Sequence, residues 1–195
     1  DVGIIDQDEY EADKRKGKYG TGDAYIDLKG GTINYVFGGS NTRGNIVGST
    51  TIKRKEKNED CSLCIKEIYG AGNEALMDGS VNIVLECMSD DYVNQVFGGA
   101  RNATVDGGVT LTVTSGKIGR VFGGNNLGGS INGPITVNVY EDGCAPLKIG
   151  ELYGGGNQAP YSIWGCNDDD GDNKWEPNDP DPSGEPNVPV GDDAI

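Results

Sequence analysis

The segment "GKIGRVFGGNNLGG", Gly116–Gly129, returns in altered form four more times along the chain, and that recurrence limits the possible folds more than any other feature. Its counterparts are "INYVFGGSN" at Ile33–Asn41, "IKEIYGAGN" at Ile65–Asn73, "VNQVFGGARN" at Val93–Asn102 and "IGELYGGGN" at Ile149–Asn157. A phosphate-binding glycine loop occurs once per nucleotide site and ends in Gly-Lys-Ser/Thr at a helix start. Five copies without that ending define a repeat architecture instead. Aligned on the aromatic, they read [I/V]-x-x-[V/I/L]-[F/Y]-G-[G/A]. Ile33, Ile65, Val93, Ile118 and Ile149 form the first column, and Val36, Ile68, Val96, Val121 and Leu152 the second. The aromatic column is Phe37, Tyr69, Phe97, Phe122 and Tyr153.

Between the copies lie segments that alternate apolar and polar residues and are rich in β-branched side chains: "VNIVLEC" at 81–87, "VTLTVT" at 109–114 and "ITVNVY" at 135–140, with "AYIDL" at 24–28 preceding the first copy in the same way and "TTIKRK" at 50–55 a degraded version. That is the pattern of half-buried strands. The aromatics are 32, 28, 25 and 31 residues apart. From each aromatic to the end of the next strand the distance is nearly constant, at 15, 16, 16 and 17 residues. From there to the next motif it is 13, 8, 5 and 10. One half of the unit therefore keeps its length and the other absorbs every insertion, as in a coil whose insertions project from one corner.

Each unit is too small to bury a core alone, whereas stacked units share one. Short strands without helical periodicity predict an all-β fold, a parallel β-helix of about five turns, each about 4.8 Å above the last. The glycines are expected at corners, where positive φ and close backbone approach are needed. Asn41, Asn73, Asn126 and Asn157 stand four residues past the aromatic and are expected to form an amide ladder, with Arg101 in the place of the missing rung. Two readings of the aromatic column stand: strict alternation points it outward as a sugar-stacking face, and a turn at the glycines folds it back as a buried stack.

The "VFGGxN/YGGGN" repeat followed by a "G-x-V-x-V-x-V" strand resembles the single-stranded right-handed β-helix repeats of adhesin-like cell-surface proteins of gut Bacteroidales. The resemblance covers about Ala24 to Asn157. It implies a pectin-lyase-like solenoid, a secreted or outer-membrane-attached location, and a non-enzymatic adhesin-like role in contact with glycan or host matrix. The same scaffold carries polysaccharide lyases and structural stalks, so a carbohydrate-active module and a stalk segment of a larger surface protein are the alternatives. On this reading residues 1–23 lead in or cap, 24–158 are the repeats, 159–176 with Trp164 cap the other end, and 177–195 are an acidic proline-rich linker.

Charge and composition narrow the chemistry. The net charge of −15 argues against nucleic acid as partner, which requires a basic face. The absence of histidine removes most hydrolase triads and the usual neutral-pH general base. No apolar run approaches the ~20 residues of a transmembrane helix. Candidate ligand-binding residues lie in the insertions: Lys53, Arg54 and Lys55 in "KRKEKNEDCSLC", Asp90 and Asp91 in "MSDDY", Glu141 and Asp142 in "EDGCAPLK". Loops grouped on a rigid scaffold are where binding usually resides, and tolerated surface drift is the competing explanation. Cys61, Cys64, Cys87, Cys144 and Cys166 allow disulfides, free thiols or a metal site. Cys87 and Cys144 sit two turns apart, too far to share one tetrahedral ion, whereas a disulfide from Cys61 or Cys64 to Cys87 spans one turn and is easier, with Cys144 to Cys166 as the second expected pair. No cofactor is expected apart from calcium, for which "NDDDGDNKWE" offers Asp168, Asp170 and Asp172; the segment fails the EF-hand template and also suits a solvated acidic linker.

Overall fold

The computed structural model describes residues 22–54, 62–88 and 91–160. The chain divides into two units, residues 1–160 and 161–195, and every described residue belongs to the first.

Among the described residues, ten strands alternate between two parallel sheets. They are β1 (Ala24–Asp27), β2 (Gly31–Phe37), β3 (Thr50–Arg54), β4 (Leu63–Tyr69), β5 (Val81–Leu85), β6 (Tyr92–Phe97), β7 (Val109–Val113), β8 (Gly116–Phe122), β9 (Ile135–Val139) and β10 (Leu147–Tyr153). The odd strands stack in the order β1-β3-β5-β7-β9, and the even strands stack as β2-β4-β6-β8-β10. Each odd strand and the even strand after it form one coil of a β-solenoid, consistent with a parallel β-helix. A third side is made by isolated parallel bridges, Ile46 to Met77, Met77 to Val105 and Val105 to Ile131.

Register follows the repeat. Ile33 pairs with Ile65, Ile65 with Val93, Val93 with Ile118, and Ile118 with Ile149. In the odd sheet the pleat turns Val81, Ile83 and Leu85 inward, as it does Val109, Leu111 and Val113. These columns meet the even sheet's isoleucines and valines and the bridge residues Met77, Val105 and Ile131 in one core.

The three-residue spacing between the first two motif columns has a local cause. In β8, Ile118 and Val121 are buried while Gly119 and Arg120 between them turn outward, so the pleat skips a beat. The ladder passes over that place, pairing Ile118 with Ile149 and Arg120 with Glu151. Phe122, next to Val121, then emerges on the far side of the sheet from the core.

The glycine after each of the first four aromatics is required by stacking. A Cβ on Gly98 would sit 2.1 Å from the carbonyl oxygen of Gly123 and 2.6 Å from a Val109 methyl. At the last coil the equivalent Gly154 has nothing within 4 Å. Gly98→Ala is therefore expected to destabilise the protein by about 1–3 kcal/mol, the usual cost of overpacking. Gly154→Ala should stay within about 0.5 kcal/mol. Urea melts of the two variants check this, and equal effects would refute the stacking explanation.

Candidate functional site

Two places concentrate side-chain chemistry: the aromatic column with its polar flank, and the corner that takes the insertions.

Phe37, Tyr69, Phe97, Phe122 and Tyr153 form one continuous ring stack, with centroids 4.8–4.9 Å apart and planes within 5–8° of parallel. The rung spacing sets that distance. The stack is a cluster of its own, apart from the main core. Tyr69 and Phe97 are fully buried and Phe122 nearly so, whereas Phe37 is half-buried and Tyr153 exposed. The inner rings thus offer no open face for sugar stacking. Alternation does point them away from the core, but the structure covers them there.

The Tyr69 hydroxyl donates to Glu67 Oε2 at 2.6 Å and accepts from Asn126 Nδ2 at 2.8 Å. Burial, and then the bond to Glu67, push its pKa above the ordinary tyrosine value. The folded state therefore holds a proton that the unfolded chain releases near pH 10. The resulting stability is complete below that pH and is lost as pH rises through the higher folded value. Tyr69→Phe is expected to cost about 1–2 kcal/mol at neutral pH, because Glu67 Oε2 and Asn126 Nδ2 each lose this hydrogen-bond partner. It should also flatten the fall of stability with alkaline pH. Urea melts at about pH 8 and about pH 11 test both, and parallel pH profiles would contradict the proton linkage.

Beside the stack runs the asparagine ladder. Asn73 Nδ2 donates to Asn41 Oδ1 at 2.9 Å, and Asn157 Nδ2 to Asn126 Oδ1 at 3.0 Å. Arg101 fills the intervening rung and donates to Asn73 Oδ1 at 3.3 Å. The polar column Tyr35, Glu67, Gln95, Arg120 and Glu151 shares the outer face of the even sheet. Arg120 and Glu151 pair across adjacent coils at 3.8 Å, both half exposed. Lys66 Nζ lies 5.1 Å from the Tyr35 ring centre and donates to its hydroxyl at 3.0 Å, which raises the lysine's pKa. Glu67 and Glu151 are separated by two intervening strands, so about 14 Å, outside the range of a glycosidase pair.

The insertion corner departs from the sequence expectation in two respects. Arg54 and Asp91 are not surface ligands. Both side chains are fully buried, and Arg54 Nε lies 2.9 Å from Asp91 Oδ2. The pleat explains this: Thr50, Ile52 and Arg54 all turn inward, placing Arg54 in register with Leu85 and Val113. Asp91 immediately precedes β6, beside Leu63, whose backbone N–H donates to Asp91 Oδ1 at 2.7 Å. Arg54 Nη1 also donates to the carbonyls of Leu28 and Lys29, at 3.2 and 2.9 Å. One side chain thus fastens the first coil to the third.

The second departure is the disulfide, which joins Cys87 to Cys144, with Cα atoms 5.2 Å apart. Neither cysteine has the partner expected from the sequence. The coil between them turns its corner in only two residues, Thr114 and Ser115, so the longer corners on either side close over it. Met88 donates its backbone N–H to Ser115 Oγ at 2.8 Å, and Thr114 Oγ1 donates to Asp142 Oδ2 at 2.7 Å. Asp142 Oδ1 accepts the Cys144 N–H at 2.9 Å, and the backbone bond followed by that from Thr114 holds the Asp142 pKa below the usual carboxylate range. Glu141 Oε1 accepts from the Leu147 N–H at 3.0 Å. Glu141 and Asp142 are thus exposed, as expected, yet both also shape their own loop. Lys53 is half-buried on the outer side of β3, and Cys64 is an exposed free thiol. Thr114, Ser115 and Met88 went unmarked in the sequence, because only the crossing of loops gives them partners.

Lys55, Asp90, Cys61, Cys166, the calcium candidates Asp168, Asp170 and Asp172, and the Trp164 segment lie outside the described residues. Among the described residues no group of three His, Cys, Asp or Glu is placed to hold a metal ion, and no helix is long and apolar enough to cross a membrane. Comparison with protein-family models, curated proteins and solved structures finds no match.

Proposed function

We infer that the protein is an exported cell-surface scaffold, adhesin-like and non-enzymatic, that presents its insertion corner to a glycan or a host matrix protein. The observation that carries this reading is the fixing of that corner. Insertions of different length collect on one edge of a rigid stack, and a disulfide ties two of them together across a third. Disulfides persist in oxidising compartments, which supports export. Glu141, Asp142 and Lys53 supply polar and charged groups at this edge.

Binding of the folded chain to a glycan and extracellular-matrix array, with and without calcium and before and after reduction, is the test. A specific signal that weakens when Cys87–Cys144 is reduced supports presentation by this corner. A second reading, a stalk segment of a larger surface protein, is favoured by the internal use of Arg54, Asp91, Glu141 and Asp142 to build the corner. A clean null on well-folded protein would select the stalk.

A further inference from the structure

The two ends of the coil stack complement each other column by column. At the β9/β10 end, Leu152 is 49% exposed, Tyr153 46% and Val139 39%, although their counterparts one coil earlier, Val121, Phe122 and Val113, are buried. A Cβ built on Gly154 or Gly155 would meet nothing within 4 Å, whereas one on Gly38, Gly70, Gly98 or Gly123 would meet the carbonyl of the next coil's glycine. At the opposite end, β1 and β2 form the other outer strands of the same sheets. There Tyr25 and Tyr35 are exposed and Phe37, Ile26 and Ile33 are half-buried, while Leu28 and Val36 are buried.

Continuing the register by one coil would set Ile33 over Ile149, Val36 over Leu152 and Phe37 over Tyr153. Ile26 would meet Val137, and Leu28 would cover Val139. Asn41 Nδ2 would reach Asn157 Oδ1, repeating the donor direction of the two asparagine pairs within the ladder. The Tyr35 hydroxyl would face Glu151. Each contact is of a kind already made between successive coils, and β1, β2, β9 and β10 are the outer strands of the described sheets.

We propose that two copies of this chain stack coaxially, the β1/β2 end of one on the β9/β10 end of the other. The contact is head-to-tail, so each added copy presents a fresh end and association continues beyond the dimer. The net charge of −15 opposes it, so it strengthens with salt.

Sedimentation of the full chain over a concentration series at physiological and low salt tests this. The expected result is a mass that climbs from 20.5 kDa with concentration, more steeply at the higher salt. Leu152→Lys at one end and Phe37→Lys at the other should each weaken association on the order of a hundredfold, because each buries an unpaired charge in the junction. Tyr35→Glu, at an exposed site facing Glu151, gives a second block that does not touch the core. Far-UV circular dichroism confirms folding of each variant. The decisive sample is an equimolar mixture of Leu152→Lys with Tyr35→Glu or Phe37→Lys. Each variant keeps one good end, so the mixture should form a species of twice the monomer mass and nothing larger. A wild-type monomer at every concentration overturns the proposal. So does association of Leu152→Lys alone at wild-type strength.

Discussion

Replacing Asp91 with alanine is expected to destabilise the protein by about 3–5 kcal/mol, a large part of the stability of an ordinary domain. Both members of the Arg54–Asp91 pair are fully buried, so neither charge can recover hydration when the other is removed. Asp91 also accepts the Leu63 N–H, which would lose its acceptor. Arg54→Leu should be similarly costly, since it leaves a buried carboxylate. The double variant Arg54→Leu/Asp91→Leu separates charge from packing. Arg54 lies in register with Leu85, and Asp91 lies beside Leu63, so leucine suits both places. The double variant should recover most of the loss, because a hydrophobic replacement for a buried ion pair is often close to neutral. Urea melts of the wild type, Asp91→Leu, Arg54→Leu and the double variant close a cycle and give the coupling energy directly. Single variants that cost no more than surface substitutions, or a double variant that costs the sum of the two, would contradict this account.

Reduction of Cys87–Cys144 should cost about 4 kcal/mol on chain-entropy grounds, given a sequence separation of 57 residues. The loss should fall chiefly on the corner, where Met88 and Asp142 depend on the crossing to meet Ser115 and Thr114. Cys87→Ser with Cys144→Ser should reproduce the effect, and the single variant Cys64→Ser should not, because Cys64 is an exposed free thiol. Melts with and without reductant measure this. Unchanged stability on reduction would show that polar contacts alone hold the crossing.

Most of the stack was legible in the sequence, because a coil with a fixed rise converts spacing into position. The aromatic and isoleucine columns landed in register once aligned, and the constant and variable halves of the unit mapped onto opposite corners. Arg54 shows where reading by composition misled. It stands at the head of a run of charges that looks like a loop, yet Thr50, Ile52 and Arg54 keep the period of the pleat, and that period set its direction. The disulfide was beyond the same logic. Counting coils assumed that each corner stays on its own level, whereas the two-residue corner of the intervening coil lets its neighbours cross. The aromatic stack lay between these cases: its alternation was readable, but the burial of Tyr69, Phe97 and Phe122 has no local signature.

The crossing also governs how the protein bears a pull. In a parallel stack drawn out by its two ends, coils peel away one after another and give up chain length. The bond from Cys87 to Cys144 withholds the 57-residue span between them, about 190–200 Å of extended chain, for as long as it stays oxidised. A chain built this way has two extensibilities. It is short and stiff in an oxidising medium and much longer once a reductant reaches a single bond.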